Sequence, residues 1–141
     1  MNHTGTQAPR PPLVTAVGIV GIVAGAFPLI EIAAMLVSPR FSAFFLPLAQ
    51  AIVPLGTAPI ILLLLAVGII DIALGIGALL RYRLASVGMI LRSIVGIQID
   101  YINFQAHNPA GALFGLAVNV GIVGILLLPK SRAWFWHNLN H

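Results

Sequence analysis

The segment DIALGIGALLRYRLASVGMILR, residues 71–92, carries opposite charges at its two ends, Asp71 and Arg92, separated by two apolar runs and the basic triplet Arg81-Tyr82-Arg83. A connection this short makes the flanking helices antiparallel neighbours. In such a hairpin, residues equally far from the turn lie at the same depth. Asp71 is 11 residues before Tyr82 and Arg92 is 10 after it. At ~1.5 Å rise per residue both lie roughly 15–16 Å from the turn, near the middle of a ~30 Å hydrocarbon layer. A charge at that depth is costly unless it is paired or wetted. The segment therefore predicts a buried Asp71–Arg92 ion pair holding two membrane-spanning helices in register.

The rest of the chain supports lipid as the main solvent. Its 141 residues are 60% hydrophobic and 7% charged, with mean hydropathy +1.05. A soluble domain carries about 25% charged residues. Four apolar runs, 13–37, 59–80, 84–104 and 109–128, are each long enough to cross a bilayer. The expected fold is all-α: an integral membrane bundle of four transmembrane helices, forming one domain over 13–129, with a short interfacial helix between the first two. Residues 1–12 form a Pro-rich tail, and 130–141 an amphipathic one. Ser38-Pro39 offers an N-cap and a first-turn proline for the interfacial segment 39–57. There Phe41, Phe44, Phe45, Leu48 and Ile52 follow helical spacing, and Pro47 and Pro54 break the stretch. Arg10, the apolar run from Leu13 and Ala24-Gly25-Ala26 together have the outline of a secretory signal. The run continues to Val37, so an uncleaved first span is expected.

Charge sets the orientation. With both termini on one side, that side holds Arg10, Arg81, Arg83, Lys130 and Arg132, and the other holds Arg40 alone. The positive-inside rule then places both ends in the cytoplasm, in a bacterial-type inner (cytoplasmic) membrane. Seven cations among 141 residues form no nucleic-acid patch. They are read as topology signal and lipid-headgroup contact. Trp134 and Trp136, beside Lys130 and Arg132, are read as interface anchors.

The three acids, Glu31, Asp71 and Asp100, all fall inside spans. Asn119, 10 residues before Pro129, shares the depth of Asp71 and Arg92, giving an intramembrane polar cluster. Glu31 and Asp100, with Gln98 nearby and His107 at the rim, form an outer polar cluster. Each cluster has two readings. The pair either neutralises two costly groups or makes Asp71 a proton or cation site gated by Arg92. The outer cluster either hydrogen-bonds near the interface or lines a wet vestibule. Small-residue pairs at Gly21–Gly25, Ala73–Gly77, Gly111–Gly115 and Ala117–Gly121 suit close helix packing, within the bundle or onto a larger membrane partner.

The chain has no cysteine, which excludes disulfides, thiolate metal sites and cysteine nucleophiles. Its histidines, His3, His107, His137 and His141, lie in tails and one loop, and none is placed mid-span for haem. No metal, cofactor or catalytic residue is expected.

The run from Asp71 through Arg81-Tyr82-Arg83 to Ala85, together with the ending LLLPKSRAWF at 126–135, resembles small uncharacterised bacterial four-helix membrane proteins. Those have a basic turn after helix two and a Pro-x-x-Arg ending after helix four. The resemblance spans the last half of the chain and implies a four-helix bundle without naming an activity. Their aromatic after the basic turn is replaced here by Leu84-Ala85. Small size, negligible soluble domains and small-residue helix faces point to a non-catalytic accessory subunit of a larger membrane complex, with membrane lipids and other integral membrane subunits as partners. The alternative is a small proton- or ion-coupled transporter or channel using the intramembrane acids.

Overall fold

A computed structural model describes residues 9–105 and 109–136. It contains six helices and no strand among those residues: α1 (Pro12–Val37), α2 (Pro39–Ile52), α3 (Thr57–Leu79), α4 (Arg83–Gln105), α5 (Pro109–Leu127) and α6 (Pro129–Trp136). Helices α1, α3, α4 and α5 are long and apolar enough to cross a membrane. Their outer faces are apolar too: Leu36, Leu84 and Phe114 are all more than two-thirds exposed. Water would not tolerate so much bare hydrocarbon, and lipid does. The chain is a multi-pass, four-helix membrane bundle.

Prolines set most boundaries. Ser38 and Val53 each precede a proline and adopt extended backbone, at ψ 104 and ψ 103, because a following pyrrolidine ring disfavours helix at that position. Ser38 also caps α2, its Oγ accepting from the Phe41 N–H at 3.3 Å. Three differences from the sequence reading follow from the same chemistry. Helix α2 runs through Pro47 and stops before Pro54, so one of the two expected breaks is absent. Helix α3 starts at Thr57, ahead of the expected residue 59. Pro59 then sits in the first turn, where N–H groups lack helical partners in any case. Pro129 ends α5 and also opens α6, which turns the expected tail into a packed helix.

The α3–α4 turn is a Schellman closure. The Arg81 N–H donates to Ala78 O and the Tyr82 N–H to Gly77 O, at 3.3 and 2.8 Å. Arg81 occupies the left-handed position usually given to glycine, with φ 69. Among the described residues it is the one non-glycine with positive φ.

Two helix pairs, α1–α3 and α4–α5, pack most extensively, and the α3–α4 hairpin joins them. The α1–α3 seam is built on glycines seven residues apart. A Cβ on Gly25 would lie 2.6 Å from Gly68 O, and one on Gly75 would lie 2.7 Å from Gly18 O. The two backbones are therefore in direct contact, which glycine permits and lipid alone would not drive. The Ala73–Gly77 pair lies off this seam: Ala73 is exposed, and Gly77 packs against Ala85 beside the turn. Gly21 does lie on the seam, against Met89 and Gly75.

Apolar burial concentrates at the end of the bundle that carries the basic turn. Val14, Val17, Ala78, Met89, Leu126 and Phe135 form one core there, drawn from α1, α3, α4, α5 and α6. Overfilling a seam this tight costs about 1–3 kcal/mol. Gly25→Ala and Gly75→Ala should each lower thermal stability in detergent by that order. Gly124→Ala, with nothing within 4 Å of the added carbon, should not lower the melting temperature.

Candidate functional site

The α3–α4 hairpin builds the site as a ladder. Above the turn Gly77 meets Ala85, then Gly88 receives Leu74, and then Asp71 meets Arg92. Small residues at the lower rungs bring the helices close enough for the charged rung to close. Arg92 Nε donates to Asp71 Oδ1 at 3.0 Å and Arg92 Nη2 donates to Asp71 Oδ2 at 3.2 Å. This is a bidentate fork, the geometry in which guanidinium and carboxylate bind most strongly. Asp71 is buried, its side chain 9% exposed, whereas that of Arg92 is 36% exposed.

A second polar bridge crosses between α4 and α5. Asn119 Nδ2 donates to Asp100 Oδ2 at 2.9 Å. Each partner lies in a notch left by a glycine on the facing helix: the Asp100 carboxylate over Gly115, and the Asn119 amide over Gly96. The pattern Gly96-x3-Asp100 against Gly115-x3-Asn119 is reciprocal, so one hydrogen bond and two glycines fix the α4–α5 register. Asn119 thus belongs to Asp100 by hydrogen bond. It still lines the same cavity as Asp71 and Arg92, but it packs over Gly96, four residues along α4 from Arg92. Gly96 was missed, although its four-residue spacing from Asp100 was visible in the sequence.

The outer cluster does not assemble as expected. Gln98 is exposed on α4, and Glu31 is half-buried, with no hydrogen bond or ion pair to another described residue. Asp100 turns to Asn119 rather than to Glu31. A carboxylate facing an amide donor on a packed neighbour has a better partner than a second acid. His107 lies outside the described residues. Of the packing pair Gly111–Gly115, Gly115 accommodates Asp100 and Gly111 is exposed.

Between the two bridges lies a cavity of about 190 Å³, walled by Asp71, Arg92, Ser93 and Asn119 on its polar side. Its other walls include Val20 and Ala24 of α1 and Phe114 and Val118 of α5. Val20 and Phe114 are also exposed on the exterior, so the cavity approaches lipid through the sparse α1–α5 seam. Towards the basic end it is closed by the apolar core.

The two tryptophans expected as interface anchors also contact the arginines of the α3–α4 turn. Arg81 Nε donates to Trp134 O at 2.6 Å, and its guanidinium lies 4.6 Å from the Trp134 ring centre. The Arg83 guanidinium lies 3.3 Å from the Trp136 ring centre. These cation–π contacts fold α6 back onto the turn.

No family model, curated protein or solved structure matches this chain.

Stranding a buried charge costs about 3–5 kcal/mol, while replacing both partners by apolar groups is often close to neutral. Arg92→Gln, which leaves the buried Asp71 unpaired, should destabilise more than Asp71→Asn, which leaves the half-exposed Arg92 beside a cavity. The double variant Asp71→Leu/Arg92→Met should recover most of the loss. Unfolding in mixed micelles measures all three.

Proposed function

We propose that this chain is a non-catalytic accessory subunit that docks within a larger membrane complex of a bacterial-type cytoplasmic membrane, with both termini in the cytoplasm. The observation that carries this reading is how the intramembrane polar groups are used. Asp71 and Asp100 are both engaged by partners inside the bundle, and the apolar core at the basic end interrupts any polar path from the cavity to that surface. Such an interior serves register and rigidity better than conduction.

An exposed small-residue face on α5 also supports this reading. On α5 the small residues Ala117, Gly121 and Gly124 point away from the bundle, and a Cβ on Gly121 or Gly124 would meet nothing within 4 Å. Small-residue faces let helix backbones approach one another in lipid, and this one is left unused by the chain's own packing. The part of the Ala117–Gly121 pair that internal packing does not explain is accounted for by a neighbouring helix of another subunit. The five-to-one excess of cations at the end bearing the termini supports the orientation.

Gentle extraction from the native membrane should recover the chain with a larger integral membrane protein at fixed stoichiometry. Gly121→Leu/Gly124→Leu should abolish that association while leaving the thermal stability of the isolated chain unchanged. Recovery of the chain alone, with proton or cation flux in liposomes that Asp71→Asn abolishes, would establish the transporter reading instead.

A further inference from the structure

At the basic end, a pocket of about 550 Å³ lies between the segment leading into α1, the α3–α4 turn and α6, lined by Arg10, Arg81, Lys130 and Trp134 together with Pro9, Pro11 and Pro12. We propose that this pocket binds the phosphate of an anionic phospholipid from the leaflet at which the basic turn emerges.

The first argument is charge. Three cations from three separate segments line one pocket, while all three acids of the chain, Glu31, Asp71 and Asp100, lie within the spans. No aspartate or glutamate lines the pocket to neutralise it, which suits an anion entering from outside. A zwitterionic headgroup would bring its own cation into the cluster, and an anionic one does not.

The second argument is the wall chemistry. Proline has no backbone N–H, so Pro9, Pro11 and Pro12 offer no main-chain donors. Recognition falls to the cationic side chains and to Trp134. Arg81 already spends its Nε on Trp134 O, which holds the guanidinium at the pocket rather than free in solvent. The Trp134 indole N–H is buried and has no acceptor among the described residues. The indole ring itself gives the pocket an apolar wall beside the cations.

The third argument is location. The start of α1, the α3–α4 turn and the end of α5 all lie at this end, which is the level of the lipid phosphates for a bundle of this length. Basic pockets between helices at that level are suited to acidic headgroups, each cation near the surface contributing about fivefold in affinity.

The test uses the full chain in nanodiscs and detergent micelles, with phosphatidylglycerol, phosphatidylcholine and inorganic phosphate as probes. Native mass spectrometry counts retained lipid, and fluorescence of Trp134 in a Trp136→Phe background reports occupancy. One phosphatidylglycerol should be retained per chain in preference to phosphatidylcholine. Arg10→Gln/Lys130→Gln, which alters two exposed side chains, should weaken that retention about thirtyfold. Arg40→Gln at the other end should not change it. Wild-type binding should also fall as salt rises. Retention unchanged in the double variant, equal binding of phosphatidylcholine, salt-independent binding, or inorganic phosphate binding as tightly as the lipid would each overturn the proposal.

Discussion

A charge inside hydrocarbon must find its partner within the protein. Asp71 and Arg92 meet that constraint with a bidentate fork across an antiparallel hairpin, which buries the carboxylate and turns the partly exposed guanidinium onto it. The fork forms at a single register. Sliding α3 past α4 by one turn would carry the charges ~5 Å apart along the axis and leave Asp71 buried without a partner. The rest of the bundle is arranged so that this register is the one in which everything else also fits.

Three ladders express that arrangement. Gly18 and Gly25 meet Gly75 and Gly68 on α1–α3. Gly77 and Gly88 receive Ala85 and Leu74 on α3–α4, while Gly96 and Gly115 receive Asn119 and Asp100 on α4–α5. In lipid no hydrophobic force separates one helix packing from another, so specificity comes from shape and from polar groups that have a single match. Glycine supplies the shape and the two polar bridges supply the match. The Arg81 backbone shows a related economy: a left-handed residue other than glycine is strained by about 1–2 kcal/mol. Its side chain offsets that strain by clamping α6 through Trp134.

Much of this was legible in the sequence because it depends on distance along a helix. Counting from Tyr82 locates the Asp71–Arg92 rung, and apolar run lengths locate four spans. What depends on direction around a helix was harder to read. Counting along α5 gives Asn119 the depth of Arg92, yet it packs over Gly96 and bonds to Asp100, and hydropathy carries no azimuthal signal when nearly every face is apolar. For the same reason the spacing of Ala73 and Gly77 did not say which face they pack on. The Gly18, Gly25, Gly68 and Gly75 seam was missed, although its shared seven-residue spacing was visible in the sequence. Helix α6 was read as an anchoring tail because cations and indoles together suit the membrane interface, and the same residues suit each other as cation–π pairs.

The pair at the centre of the bundle is most directly tested by solid-state NMR on the full chain in lipid bilayers, with ¹⁵N on arginine and ¹³C on aspartate. Dipolar coupling between the Arg92 guanidinium and the Asp71 carboxylate carbon, consistent with the 3.0 Å N–O contact, is expected together with the chemical shift of an ionised carboxylate. It should vanish in Arg92→Gln. Absence of that coupling in the wild-type chain, or a protonated Asp71 facing lipid, would contradict the account.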